Sequence, residues 1–292
     1  MSLPSASCRG HASWTARPPP NPKERLGFAC LRCKHSASGP LFRSQGALLM
    51  PRLAIVIPAR YRSGRLPGKP LIRIAGVPMI ERTYRQCEKA FPAEHIYVAT
   101  DDGRIQAHCE AVGIKVIMTS PDCLTGTDRV AEAASSIDAD IFINVQGDEP
   151  LFNPADITAF VEAAKAHPHA VLNGYGEISD EAMFKSTSMP KVVFDANERL
   201  LYMSRAGIPA TKRNEFMIAW RQVCIYAFPR AALEAFAGKK EKTPLEAVED
   251  IEILRFVEMG IPVQMVRVSS DSIPVDNPED VALVEQALAR LG

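Results

Sequence analysis

The chain has 292 residues, of which 47% are hydrophobic and 23% are charged, an ordinary composition for a globular protein. Lys plus Arg and Asp plus Glu number 34 each, so the formal net charge of zero excludes a general electrostatic affinity for nucleic acid. No run of residues approaches the roughly 18 uninterrupted apolar positions that a membrane span requires. We therefore expect neither a membrane span nor a nucleic-acid partner, and local sites must carry the specificity.

Residues 1–49 differ in composition from the rest of the chain. They contain seven Lys plus Arg, one acid and six prolines, without any apolar periodicity. This composition predicts a disordered leader. Met50 stands directly before the first predicted strand and favours an internal start site, whereas many Arg and Ser with few acids also suit a targeting segment. We predict that residues 50–292 form the folded domain.

From Leu53 onward, short apolar runs alternate with segments of helical periodicity. Strands are predicted at 53–57, 96–100, 115–118 and 141–146, and helices at 79–90, 104–112 and 128–136. This alternation predicts an α/β fold with a doubly wound, mostly parallel sheet. Ligands of such sheets bind beyond the carboxyl ends of the strands, so we expect the site in the loops after Ile57 and Val145.

The second half of the chain has a different pattern. Closely spaced strands predict an antiparallel excursion that we interpret as a dimerisation surface, at 190–195, 200–204 and 223–228. Thr243 and Glu246 form a capping box for a helix that is predicted to extend to about Met259. Asn277 and Asp280 begin the last helix in a similar way.

The loop after the first strand concentrates positive charge. Arg60, Arg62, Arg65 and Lys69 place four cations within ten residues. An Arg side chain forks onto phosphate oxygens, and a Lys ammonium acts as a compact point charge. A basic loop is often only a solvated surface, but its position after a buried strand of an α/β sheet favours a polyphosphate site.

Two aspartates are presented rigidly near chain turns. Asp148 follows an apolar strand within the segment 144–150, and Glu149 is expected to point to the other face. Asp276, which is 128 residues further on, lies between two prolines before the last helix. Mg²⁺ is commonly bound by one or two carboxylates together with substrate phosphates. We therefore predict that Asp148 and Asp276 share an Mg²⁺ site.

Five segments of the chain, taken together, resemble one enzyme family. They are 57–71 (IPARYRSGRLPGKPL), 125–129 (TGTDR), 144–150 (NVQGDEP), 202–205 (YMSR) and 275–280 (VDNPED). The set resembles the 3-deoxy-manno-octulosonate (Kdo) cytidylyltransferases, also called CMP-Kdo synthetases, from about Pro51 to the end of the chain. The resemblance implies a fold of the nucleotidyltransferase type and a cytidylyltransferase domain in residues 50–292. It also implies a cytoplasmic homodimer that serves lipopolysaccharide biosynthesis.

The activity that the resemblance implies is the Mg²⁺-dependent transfer of CMP from CTP to the anomeric hydroxyl of a 3-deoxy ulosonic acid, Kdo or a relative, with release of pyrophosphate. Carried onto this sequence, the triphosphate contacts are Arg60, Arg65 and Lys69, the residues near the nucleotide base or sugar are Ala59 and Gln146, and the Mg²⁺ ligands are Asp148 and Asp276. The sugar-acid side then comprises Arg205, Gln222, Tyr226 and Glu252.

The sequence departs from the family pattern at two positions on the sugar-acid side. Gln222 replaces a histidine, and Ile253 replaces a glutamine. Because a site that hydrogen-bonds a sugar group discriminates strongly when its polar partner changes, we hypothesise a substrate related to Kdo rather than Kdo itself.

Two other functions stay open at this point. One is a CMP-nonulosonate synthetase of the sialic-acid type, although the Arg-Gly-Gly-Ser-Lys usual there is replaced by residues 61–65. The other is a non-catalytic nucleotide-binding paralogue. Retention of both Asp148 and Asp276 argues against it, since a binder does not need paired metal carboxylates.

Overall fold

The structure is a computed structural model that describes residues 50–62, 66–269 and 272–291. The leader predicted at 1–49 and the triphosphate contact predicted at Arg65 lie outside these residues, so both stay predictions.

The described residues form helices and strands in the following chain order. The strands are β1 (Leu53–Ala59), β2 (Arg73–Ile74), β3 (Val77–Pro78), β4 (Ile96–Thr100), β5 (Lys115–Met118), β6 (Ile141–Val145), β7 (Val171–Glu177), β8 (Lys191–Phe194), β9 (Leu200–Ser204), β10 (Trp220–Pro229) and β11 (Val263–Arg267). The helices are α1 (Met79–Glu88), α2 (Gly103–Ala111), α3 (Gly126–Ala134), α4 (Pro154–Ala166), α5 (Glu181–Lys185), α6 (Arg230–Ala237), α7 (Pro244–Glu249), α8 (Ile253–Glu258) and α9 (Pro278–Leu291).

The main sheet has the strand order β11-β7-β10-β6-β1-β4-β5. The pairs β6–β1, β1–β4, β4–β5 and β11–β7 are parallel. The pairs that β10 makes with β6, β7 and β8 are antiparallel, as is β8–β9. This topology confirms the predicted α/β fold with a mostly parallel sheet and an antiparallel part.

Apolar side chains cover both faces of the sheet. All seven residues of β1 are buried, as the continuous apolar run predicts for a strand between two helical layers. One layer contains α1, α2 and α4, which contribute residues such as Tyr84, Ile105 and Phe160. The opposite layer contains α3, α6 and α8, which contribute residues such as Val130 and Phe236. The sheet is therefore doubly wound.

The predicted helix from Thr243 to about Met259 is wrong in one respect, because the structure divides it into α7 and α8. Asp250 closes α7 in the left-handed region with φ of 52°, which interrupts the run of helical hydrogen bonds. Helical periodicity continues across the break, which explains why the pattern alone predicted one helix. The capping box of Thr243 and Glu246 is present as predicted.

The predicted strand at 223–228 is part of β10, whose position differs from the expectation. It does not belong to a peripheral excursion, since it lies in the centre of the main sheet between β6 and β7. The antiparallel extension consists of β8 and β9, which continue from one end of β10. Strand pairing between distant segments decides this arrangement, and local sequence patterns do not report it.

Gly147 follows β6 at a close approach between backbones. A Cβ at this position would lie 2.8 Å from the carbonyl oxygen of Pro58, whereas a Cβ at Gly103 would meet nothing within 4 Å. We predict that Gly147→Ala lowers the free energy of unfolding by about 1–3 kcal/mol, because the backbones must separate. Gly103→Ala is the control, and we expect it to leave the free energy of unfolding unchanged or to raise it. Equal urea midpoints for both variants would contradict this explanation.

Candidate functional site

A cleft of about 360 Å³ opens beyond the carboxyl ends of β1 and β6. It is lined by Pro58, Ala59, Arg60, Lys69, Pro70, Met79, Cys123, Thr125, Gly126, Arg129, Gln146, Gly147, Asp148 and Asp276. The lining thus unites six residues that the sequence analysis selected, from both the basic loop and the aspartate segments. The location agrees with the expected site in the loops after Ile57 and Val145.

Lys69 connects the two predicted metal ligands. Its Nζ donates hydrogen bonds to Asp148 Oδ2 at 2.8 Å and to Asp276 Oδ1 at 3.1 Å. Burial lowers the Lys69 pKa, but the two carboxylates outweigh this effect by charge and hydrogen bonding, so the pKa is raised overall. One ammonium therefore holds together two carboxylates that are 128 residues apart in the sequence.

Backbone pairing brings Asp276 to this position. The Val275 N–H donates to the Asp148 carbonyl at 3.0 Å, and the fully buried Val275 side chain packs with Met79 and Val284. The Asp280 carboxylate then accepts the N–H of Asp276 at 2.8 Å and closes the turn before α9. The rigid presentation that the flanking prolines predicted is therefore completed by a cap and an apolar anchor.

The turn after β6 sends its two acids in different directions, as predicted. Asp148 faces the cleft, while Glu149 is buried and its carboxylate accepts a hydrogen bond from Ser272 Oγ. Burial raises the pKa of Glu149 to about 7, and the nearby Asp148 charge adds to this shift. Inside the turn, Thr83 Oγ1 donates to the Gly147 carbonyl at 3.2 Å.

The amino terminus of α3 forms another wall of the cleft. Thr125 caps this helix by accepting the Asp128 N–H at 3.1 Å. The Glu252 carboxylate accepts the N–H groups of Gly126 at 3.2 Å and Thr127 at 2.9 Å. Burial raises the pKa of Glu252, and these hydrogen bonds oppose the shift. Glu252 therefore lies at the edge of the cleft, where it satisfies backbone groups.

A buried guanidinium holds α8 against α3. Arg255 donates from Nε and Nη2 to the two oxygens of Glu246, each at 2.6 Å, and from Nη1 to Asp128 Oδ1 at 3.3 Å. Its guanidinium carbon also lies 3.7 Å from the centroid of the Phe236 ring. Together with Glu252 on the helix terminus, this gives α8 two points of attachment to α3.

Gln222 and Tyr226 belong to one buried network on β10. Gln222 Nε2 donates to Asn173 Oδ1 at 3.1 Å and to Tyr226 Oη at 3.4 Å. Asn173 donates in turn to the carbonyls of Val223 and Ile225, where the register of β10 and β7 shifts. Burial raises the pKa of Tyr226 well above its usual value. The two predicted sugar-side residues are thus neighbours, although neither lines the cleft.

Two other residues singled out on the sugar-acid side lie apart from the cleft. Arg205 donates to the carbonyls of Thr187, Glu249 and Asp250, so its guanidinium joins three loop segments. Ile253 is 1% exposed and packs in the apolar core of its layer, which makes the change at this position a change in packing beside Glu252. The predicted contact of Arg205 with a sugar acid stays a prediction.

Several residues that line the cleft were given no role in the sequence analysis, although three of them belong to the segment 125–129. They are Cys123, Thr125, Gly126, Arg129 and Met79. The segment 125–129 carried the signal, because a capping Thr followed three residues later by an acid marks a helix start. A helix terminus that follows a strand in an α/β sheet lies at the ligand-binding edge, and this rule points to Thr125 and Gly126.

Two general properties concern the described part of the chain. None of its helices combines the length and apolar character that crossing a membrane requires. Within the same residues, no three His, Cys, Asp or Glu side chains are grouped so that they alone could hold a metal ion. The donor set at Lys69 is therefore a pair of carboxylates, which suits a hard cation that draws its other ligands from a bound substrate.

A doubly wound sheet with a basic loop and paired aspartates at its carboxyl edge defines an enzyme of the nucleotidyltransferase class. Comparison with known proteins gives the family. Residues 54–267 match the cytidylyltransferase family, and the chain belongs to it.

Similar proteins extend the likeness to most of the chain. The 8-amino-3,8-dideoxy-manno-octulosonate cytidylyltransferase of Shewanella baltica (strain OS195) is 40% identical over 243 residues, which are 81% of this chain and 98% of that protein. The protein of the same name from Shewanella oneidensis gives the same values of 40%, 81% and 98%. A CMP:2-keto-3-deoxy-manno-octonic acid synthetase solved with CTP is 36% identical, with a TM-score of 0.77 over 82% of this chain and all of that one.

Proposed function

We propose that this enzyme transfers CMP from CTP to the anomeric 2-hydroxyl of a 3-deoxy ulosonic acid of the Kdo type and releases pyrophosphate. The observation that carries the proposal is the single ammonium of Lys69 between Asp148 and Asp276, within a cleft that the basic loop borders. The names of the similar proteins support a CTP-dependent reaction on an octulosonate. They favour it over a nonulosonic acid of the sialic-acid type.

The reaction is an in-line displacement at the α-phosphorus of CTP. The sugar hydroxyl gives its proton to water and forms a bond to phosphorus, while the bond from that phosphorus to the bridging oxygen breaks and pyrophosphate leaves with the bonding electron pair. Little covalent chemistry is left to the protein in such a step, so positioning and charge neutralisation supply the rate. Arg60 and Lys69 border the cleft, where they can contact the triphosphate. Gln146 lies next to Gly126 in the cleft, where it can contact the nucleoside.

The carboxylate pair fits a divalent cation. Asp148 and Asp276 converge on one positive charge, and Mg²⁺ prefers one or two carboxylates with phosphate oxygens as its other ligands. Bound Mg²⁺ would neutralise charge that develops on the phosphate oxygens. Lys69, which reaches both aspartates, keeps them together before the nucleotide arrives.

We predict that Asp148→Asn and Asp276→Asn each lower kcat at least a hundredfold, or about 2.7 kcal/mol, because a neutral amide binds Mg²⁺ poorly. The measurement is steady-state pyrophosphate release over a range of Mg²⁺ concentrations. Asp138→Asn makes the same chemical change at an exposed side chain that pairs with Arg52 at the other end of β1, and it leaves the rate unchanged. Activity of the first two variants within threefold of the wild type would refute the metal site.

We also propose that the substrate is the 8-amino relative of Kdo, and that Gln222 helps to select it. The similar Shewanella proteins carry this substrate in their names. The side chain of Gln222 is fixed by Asn173 and by the hydroxyl of Tyr226, so its amide presents defined hydrogen-bonding groups on β10. A rigid polar group discriminates between an amine and a hydroxyl better than a mobile one.

The test is pyrophosphate release from CTP with a panel of Kdo, 8-amino-3,8-dideoxy-manno-octulosonate and a sialic-acid-type nonulosonate. We predict that the wild type prefers the 8-amino acid, and that Gln222→His shifts the ratio of kcat/KM values toward Kdo by about tenfold, the value of one hydrogen bond. Gln264→His on β11, whose side chain donates to the Asn197 carbonyl, is the matched control.

The same panel separates the other functions. Wild-type preference for Kdo would make Gln222 a tolerated variation within a CMP-Kdo synthetase. Release with the nonulosonate alone would favour the sialic-acid type. No release with any acid, at CTP concentrations that bind, would favour a non-catalytic nucleotide-binding paralogue.

We propose that the enzyme works as a cytoplasmic homodimer. The four cysteines in the described residues are all free thiols, which suits a reducing compartment. Large apolar side chains are exposed on β9 and just before β10, with Leu201 at 56%, Met217 at 75% and Ile218 at 58%. Adjacent exposed apolar side chains such as Met217 and Ile218 mark an interaction surface, whereas single ones are common on any protein surface.

Sedimentation velocity tests the dimer. We predict a dimer for the wild type and a monomer for the double variant Met217→Glu with Ile218→Glu, because two buried charges would lie in the interface. Leu283→Glu changes a side chain on α9 that is 51% exposed and leaves the dimer intact. A monomeric wild type at micromolar concentration would contradict the proposal.

A further inference from the structure

The aromatic ring of Tyr61 contacts two residues that are distant from one another in the sequence. The guanidinium carbon of Arg104 lies 3.3 Å from the centroid of the ring, which is a close cation–π contact. Gly68 donates its N–H to the Tyr61 carbonyl at 3.0 Å, and a Cβ on Gly68 would lie 3.0 Å from the phenol oxygen. Gly68 has φ of 69°, so this position suits glycine both for space and for backbone conformation.

Arg104 is itself held in place at the start of α2. Its Nε and Nη2 donate to the two carboxylate oxygens of Asp102 at 2.9 and 2.7 Å. The same carboxylate accepts the Arg104 N–H at 2.9 Å and caps the helix. A bidentate pair of this kind orients the guanidinium plane, so the contact with Tyr61 starts from a fixed position in the first turn of α2, next to its N-cap Asp102.

The position of Gly68 determines where the next residue begins. Lys69 follows directly, its N–H donates to the Leu66 carbonyl at 3.2 Å, and its ammonium bridges Asp148 and Asp276. Arg104, Asp102 and Tyr61 do not line the cleft themselves. A continuous series of contacts therefore runs from an exposed arginine on α2 to the ammonium in the cleft.

We propose that Arg104 is a positioning residue for the triphosphate of the nucleotide. By holding Tyr61 against Gly68, it fixes the peptide from which the Lys69 side chain extends toward the phosphates. The inference rests on the proposed function, because it assigns the ammonium of Lys69 to the β- and γ-phosphates of CTP. It adds a residue outside the cleft to the binding machinery.

The experiment measures the binding of CTP and of CMP by calorimetry, with Mg²⁺ and without a sugar acid. For Arg104→Ala we expect the Kd of CTP to rise about three- to fivefold, within the range of an exposed cation–π contact. CMP lacks the β- and γ-phosphates, so its Kd changes less than twofold. A merely structural defect would weaken both nucleotides alike.

Arg85→Ala is the matched control. Arg85 also stacks on a tyrosine, Tyr84 at 5.5 Å, and pairs with a carboxylate, Glu88, but this tyrosine lies within α1, whereas Gly68 packs against Tyr61. The variant Arg85→Ala loses the same charge as Arg104→Ala, and we expect it to leave the Kd values of CTP and CMP unchanged. Tyr61→Leu removes the ring without changing the charge, and we expect it to raise the Kd of CTP by a similar factor. The double variant Tyr61→Leu with Arg104→Ala then has a Kd for CTP no higher than that of either single variant.

Three results would overturn the inference. CTP affinity of Arg104→Ala within twofold of the wild type would do so, as would equal losses for CTP and CMP. If the losses of CTP affinity in the two single variants add up in the double variant, Arg104 acts through its charge and not through Tyr61, which also overturns the inference. If the wild-type chain itself fails to bind CTP, the proposed function fails and this inference fails with it.

Discussion

The hydrogen bonds from Lys69 to Asp148 and Asp276 are the contact on which the site depends. They join the end of the basic loop, the turn after β6 and the segment before α9 at one point. Two carboxylates so close together would repel each other without a cation between them. The Lys69 ammonium supplies that charge, so the two carboxylates are held together in the free protein.

Supporting contacts make this arrangement rigid from several sides. Val275 pairs with the backbone of Asp148 and anchors its side chain in an apolar cluster. Across the cleft, α8 holds the start of α3 through Glu252 and Arg255. The walls of the cleft are therefore held by helix termini and buried polar pairs. A preorganised site of this kind suits a reaction that depends on positioning.

The sequence predicted those features that local patterns encode. The buried apolar run of β1, the turn at Asp148 and the cap before α9 each follow from residues close in the chain. The break at Asp250 was not predictable, because an aspartate in a left-handed conformation leaves the apolar periodicity of the helix intact. The contacts of Glu252 with Thr127 and of Arg205 with Glu249 and Asp250 were also missed, since these partners lie more than forty residues away in the sequence.

The central position of β10 has a consequence for the order in which the chain can assemble. β7 is made before β10, yet β10 lies between β7 and β6. During synthesis, β7 therefore cannot join the main sheet until β10, which ends at residue 229, has been made and can pair with both β6 and β7. Until then β6 is an open edge of apolar residues such as Ile143 and Val145, a template for pairing with other chains. The protein depends on its late-made strand to close the aggregation-prone edge of its early half.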